Sequence, residues 1–181
     1  MDDKQRAQNG ASRYWAALYT RPKHEFSAAK QLEAAQVESY LPVVTVVKQW
    51  SDRKKKTEEP LIKGYIFAYI NERERILALQ QNAIINAVMF QGRTARIPAW
   101  QIENLKSMLS ESGDIHIEDS VEKGEYVKVI KGPFEGVVGI VTEKYNDKMI
   151  AINIDLLNRS IIAKLPGESV VKAIEEPISE L

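Results

Sequence analysis

The sequence predicts an α+β fold in two parts, an antiparallel sheet packed with helices followed by a small β-barrel. Three observations carry that expectation. Up to about residue 110, strand-like runs alternate with amphipathic helical patterns in the order β-α-β-β-α-β-α. After Gly113 the helical period vanishes, and five short strands fit into residues 120–174, the pattern of a small barrel. The formal net charge of zero also hides two opposite halves. Residues 1–110 carry 17 Lys and Arg against 11 Asp and Glu, whereas residues 111–181 carry 8 against 14. Such asymmetry marks two units with different partners.

Tyr14 to Thr20 (YWAALYT) is apolar and aromatic and stops before Pro22, so it reads as a buried strand with Trp15 in the core. From Glu25 to Ala35 the residues Phe26, Ala29 and Leu32 recur at steps of three, which predicts a helix. Tyr40-Leu41-Pro42 opens an extended segment, and Val43, Val44, Val46 and Val47 form strands readily. The polar run from Gln49 to Lys56 is expected to be a loop or hairpin end. Leu61 to Ile70 is a strand with Tyr65, Phe67 and Tyr69 alternating on one face. Asn71, followed three residues later by Glu74, predicts a capped helix with Ile76 and Leu79 as its apolar stripe. Ile84 to Phe90 reads as one further strand. Pro98 starts a third helix, on which Ile102, Leu105, Met108 and Leu109 share a face.

The second half is punctuated by Gly132-Pro133, Gly136, Asn146-Asp147, Asn158 and Pro166-Gly167. Its strands are expected at Val127/Val129, Val137 to Val141, Met149 to Ile154, Ile161 to Leu165 and Val170 to Ile174. The acidity of this half sits outside them, in 111–119 (ESGDIHIED) and in 175–181. The expected organisation is a first domain over 1–110, an acidic linker over 111–119, a barrel over 120–174 and an acidic tail over 175–181.

Composition narrows the chemistry. Without cysteine there is no disulfide, thiolate nucleophile or Cys-type zinc site. Only His24 and His116 could supply imidazole. No paired-carboxylate, phosphate-loop or nucleophile pattern appears, so no enzyme, metal or cofactor is expected. Neither a signal peptide nor a run of roughly 20 apolar residues is present, and a cytoplasmic monomer is expected.

The segment Gly124-Glu-Tyr-Val127-Lys-Val129-Ile-Lys-Gly132-Pro133-Phe134-Glu-Gly136-Val-Val-Gly139-Ile-Val141 resembles a KOW motif, the signature of an SH3-like barrel. The first half resembles the N-terminal domain of the NusG transcription elongation factors. The resemblance lies in Trp15, Tyr19-Thr20-Arg21-Pro22-Lys23-His24-Glu25, Tyr40-Leu41-Pro42 and Pro60-Leu61-Ile62-Lys63-Gly64-Tyr65-Ile66-Phe67. Gln49 to Lys56 is more similar to the specialised RfaH/UpxY-type antiterminators. Ile62-Lys63 stands where the family often has Phe-Pro.

The resemblance implies a non-enzymatic transcription elongation or antitermination factor. Its first domain would seat Tyr19, Ile62, Tyr65 and Phe67 on the clamp helices of RNA polymerase. The residues alone allow two readings of that set, ordinary sheet core or an aromatic docking surface. Arg21, Lys23, His24 and Lys30 would lie near the non-template DNA strand of the transcription bubble. Arg53, Lys54, Lys55 and Lys56 would contact phosphate or an acidic polymerase surface, or form a solvated hairpin end. The barrel would recruit a small-subunit ribosomal protein or the termination factor Rho, with Phe134, Ile150 and Ile152 as candidate contacts. Strand alternation puts some of these three in the core. The alternative function is a KOW-containing RNA-binding or ribosome-associated protein.

Overall fold

Residues 12–49, 53–111, 115–119, 124–144, 147–175 and 177 are described by the computed structural model. Trp50-Ser51-Asp52 and nearly all of the acidic tail lie outside the described residues. The chain divides into two compact units, residues 1–97 and 98–181.

The first unit runs β1 (Tyr14–Thr20), α1 (Glu25–Ala34), β2 (Ser39–Tyr40), β3 (Val43–Gln49), β4 (Lys54–Pro60), β5 (Tyr65–Ile70), α2 (Glu72–Leu79), β6 (Ile84–Ala87), β7 (Met89–Phe90) and β8 (Arg93–Thr94). Four strands form an antiparallel sheet in the order β2-β5-β1-β6. Residues paired across a ladder share a face, so the β1–β5 register sorts the side chains. Ala16 opposite Ala68 and Leu18 opposite Ile66 lie on one face. There, with Ile70, they pack against Ala28 and Leu32 of α1 and Ala78 of α2 to form the core. The alanines let both helices approach the sheet closely.

Gln36 takes a left-handed backbone (φ 57), which lets Val37 N–H close on the Leu32 carbonyl and ends α1. Helix α2 begins on a complete capping box. Asn71 Oδ1 accepts from Glu74 N–H at 2.9 Å, and Glu74 Oε2 accepts from Asn71 N–H at 2.9 Å. Its buried side differs from the expected stripe, since Ala78 is buried and Leu79 half-buried while Ile76 is exposed.

Two further differences are local. Lys54–Lys56, expected in a loop or hairpin end, open strand β4 of a hairpin, which pairs with β3 over seven rungs from Val43–Pro60 to Gln49–Lys54. A two-stranded ribbon leaves lysine side chains in water, so their charge does not oppose the strand. The run Ile84 to Phe90 divides at Val88, whose N–H donates to the Ala17 carbonyl and whose carbonyl accepts from Ala95 N–H. Met89 and Phe90 then pair with β8 in a separate hairpin.

The second unit contains α3 (Ala99–Ser110), β9 (Ile115–Asp119), β10 (Glu125–Lys131), β11 (Val138–Lys144), β12 (Asp147–Ile154), β13 (Arg159–Lys164) and β14 (Val170–Ala173). Its six strands are antiparallel in the order β14-β10-β11-β12-β13-β9. Residues 115–119, expected in an acidic linker, are instead an edge strand paired with β13 from Ala163–Ile115 to Arg159–Asp119. Ile115 and Ile117 alternate as a strand requires, a signal that the acidic count outweighed. Helix α3, read from composition as the end of the first domain, belongs to this unit by its contacts. The buried Asn104 side chain bonds both backbone groups of Val138 in β11, donating to its carbonyl at 2.8 Å and accepting from its N–H at 3.3 Å. Gln101, also buried, donates to Asp155 at 2.9 Å.

Candidate functional site

The second face of the first unit's sheet is aromatic. Trp15 pairs with Tyr69, Ala17 with Phe67 and Tyr19 with Tyr65, while Tyr40 stands opposite Phe67 on the other side. Trp15 and Tyr69 rings lie 5.3 Å apart at 39°, and Tyr19 meets Tyr65 edge-on at 4.7 Å and 77°. Such T-shaped contacts orient the rings as well as burying them.

Accessibility separates the four predicted docking residues. Tyr19 is 45% exposed and Tyr65 half-buried, whereas Ile62 and Phe67 are 4% and 1% exposed. Ile62 and Phe67 were expected on the docking surface and are interior instead. Phe67 sits mid-strand, paired on both sides, while the tyrosine pair closes the β1–β5 ladder beside the turn at Gly64.

Glu25 sets that turn. Its carboxylate is buried at the start of α1, and Oε1 accepts Gly64 N–H at 2.8 Å; the Gly64 carbonyl accepts from Thr20 N–H at 2.9 Å. Gly64 has φ 82, a backbone that glycine adopts without steric cost. Glu25 was visible in the sequence only as part of a motif, with no sign of its long-range partner. Glu25→Ala is expected to destabilise the protein by about 1–3 kcal/mol by leaving a donor unpaired. Glu25→Gln, which keeps the acceptor, recovers most of that in urea denaturation. Faster hydrogen exchange at Gly64 in the alanine variant locates the effect.

Tyr40 is a member of the aromatic face that the sequence did not single out. Burial pushes its phenol up from the ordinary 10 to about 12. The folded state holds the proton more tightly than the unfolded chain, so stability falls as pH rises from 10 to 12. At pH 12 the loss from this group is about 1–2 kcal/mol, because water still reaches part of the ring and screens the phenolate. Tyr40→Phe is expected to flatten that part of the stability profile, measured as the difference between variant and wild type at each pH.

The cations divide into two surfaces. Arg21, Lys23, His24 and Lys30 are exposed on the β1–α1 loop and on α1. Lys23 takes a left-handed backbone, and His24 Nδ1–H donates to the Pro22 carbonyl at 2.8 Å. Arg53, Lys54, Lys55 and Lys56 are exposed on the β3–β4 ribbon. The register places Lys54 and Lys56 opposite Gln49 and Val47 on one face, and Lys55 opposite Lys48 on the other. Lys48 also pairs with Glu59 and holds that carboxyl below the usual carboxylate range.

In the second unit Phe134, Ile150 and Ile152 are all buried. Of these candidate partner contacts some were expected in the core, and all three are core. Phe134 reaches the interior from a turn in which its own backbone is left-handed, φ 68. Among the described residues there is no cluster of His, Cys, Asp and Glu able to hold a metal ion. No described helix is long and apolar enough to cross a membrane.

Comparison with known proteins adds a lineage. No curated protein matches the chain. One similar solved structure is described as "Domain interaction in Thermotoga maritima NusG". It is 19% identical, with 84% of this chain and 93% of that chain aligned and a TM-score of 0.46. A second, described as "Crystal Structure of MjSpt4:Spt5 complex conformation B", is 19% identical over 90% of this chain and 97% of that one, with a TM-score of 0.33. A family model described as "Transcription termination factor nusG" matches residues 13–106. That span is more than half of the 181 residues, and the chain belongs to the NusG family.

Proposed function

We propose that the protein is a transcription elongation factor of the specialised RfaH/UpxY-like antiterminator kind. The first unit binds the clamp helices of RNA polymerase, and the strands of the second unit form a KOW SH3-like barrel that recruits a further protein, a small-subunit ribosomal protein or Rho. Binding the closed clamp more tightly than the open one shifts the polymerase toward elongation and suppresses pausing and termination. The Tyr19–Tyr65 ring pair at the end of the aromatic face, with Tyr19 exposed and Tyr65 half-buried, carries the proposal. A rigid aromatic pair offers large contact area at little entropic cost. Arg21, Lys23, His24 and Lys30 follow the non-template strand through its phosphates, with salt-dependent affinity and little sequence information. The Arg53–Lys56 ribbon adds phosphate contacts.

Binding of the full chain to RNA polymerase, measured by interferometry against Tyr19→Ala and Tyr65→Ala, tests the proposal. Wild-type binding that falls in both variants supports it. Undetectable binding, binding unchanged in both, or preferential binding to ribosomal RNA overturns it.

A further inference from the structure

With Phe134, Ile150 and Ile152 buried, the second unit needs another surface if it is to hold a partner, and one is present at its edge. Among the described residues strand β14 ends the six-stranded sheet, with β10 its one neighbour. All four of its residues are exposed. Val170 and Val171 are 44% and 37% exposed, and Ile130 in the neighbouring strand is 49% exposed. Ile130 stands out because the ladder is irregular there, the register stepping from Val129–Val171 to Lys131–Val170. Ile130 and Val170 thus form a small apolar strip on the Lys128–Lys172 face of adjacent strands, while Val171 turns to the other face with Val129.

Lysines frame the strip. Lys128 stands directly opposite Lys172, and Lys131 opposite Val170. Like charges placed opposite each other destabilise a ladder on their own. An acidic ligand relieves that repulsion. The backbone is also available. Ile174 N–H is bonded to the Tyr126 carbonyl, so by the alternation of an antiparallel ladder the N–H and C=O groups of Val171 and Ala173 point away from β10.

We propose that β14 is a strand-addition site for an extended, acidic and apolar segment of a partner protein. The segment would pair with Val171 and Ala173, set an apolar side chain on Ile130 and Val170, and place carboxylates against Lys128 and Lys172. The lysines also explain selectivity. Antiparallel pairing of two β14 edges from separate copies brings their Lys172 residues together, so the charge that attracts an acidic strand repels a second copy. The apolar strip carries no aromatic ring, which disfavours the base stacking that single-stranded RNA requires.

The site deepens the reading of this unit as a partner-recruiting domain, and its test contains no polymerase, so either idea can fail alone. The probe is a capped eight-residue peptide, Thr-Val-Thr-Glu-Thr-Val-Thr-Glu, whose valines and glutamates fall on one face of a strand, titrated into the isotope-labelled full chain. Amide shifts centred on Val171, Ala173 and Ile130 are the expected result. Lys128→Glu/Lys172→Glu is expected to weaken binding roughly tenfold and to transfer it to a valine–lysine peptide. Val171→Pro removes an outward N–H, a change that edge strands tolerate, and should abolish binding with the fold intact. The proposal is overturned by unperturbed β14 amides at millimolar peptide, by equal binding of the lysine peptide to wild type, or by octauridine occupying the surface instead.

Discussion

Phe67→Ala is expected to lower the stability of the protein by about 3–5 kcal/mol, the usual cost of emptying a buried aromatic position. Phe67 is 1% exposed and its strand is paired on both sides, by Ala17 and by Tyr40, so little collapse can fill the void. Tyr65→Ala, two residues away on the same face, is expected to behave differently. It removes an edge-on ring contact with Tyr19, worth about 1 kcal/mol of stability. Polymerase affinity should instead fall by at least about 2 kcal/mol, some thirtyfold, as for an aromatic anchor at the centre of an interface. Urea denaturation and polymerase binding, measured on both variants, separate a core role from a docking role. Equal stability losses would show that Tyr65 is also core. A stable Phe67→Ala variant that lost polymerase would restore Phe67 to the surface.

That contrast marks how far the sequence was legible. Period-2 alternation of Tyr65, Phe67 and Tyr69 placed the three on one face, and the ladder has them there. Alternation cannot say which of them water reaches, because that depends on position along the strand and on residues distant in the chain. The capping box at Asn71 was readable because both partners lie within four residues. The Glu25–Gly64 bond, spanning 39 residues, was not. Ile150 and Ile152 show a different failure. Parity arguments assume one solvated face, but Ile150, Ala151 and Ile152 are all buried, so this strand is covered on both sides. Composition misled at Lys54–Lys56 and at Ile115–Asp119, where charge suggested loop and linker while cross-strand partners made strands. The charge asymmetry itself has a physical location. All eight nucleic-acid-proximal candidates, from Arg21 to Lys56, are exposed on the first unit.

Gly139→Ala is expected to be strongly damaging to the sheet of the second unit, although it adds a single methyl group. Gly139 sits in β11 between Val127 of β10 and the central strand β12. A Cβ there would fall 2.5 Å from the Ala151 carbonyl oxygen and 3.0 Å from Ile150 Cγ1. The first contact is with backbone, so no side-chain rotation relieves it, and β12 must move away from β11. Overpacking of this kind costs about 1–3 kcal/mol and occasionally more, and a backbone clash in a sheet interior belongs at the upper end. Gly136→Ala provides the control. Gly136 has φ 88 and no atom within 4 Å of a Cβ, so its cost is conformational, about 1 kcal/mol. Hydrogen exchange distinguishes the two mechanisms. In Gly139→Ala the amides of β11 and β12 should lose protection while those of β1 and β5 keep theirs, because the clash wedges one ladder. In Gly136→Ala protection across β11–β12 should remain. If the two variants lose equal stability and the β11–β12 amides stay protected in both, the close approach of the two strands at Gly139 is wrong.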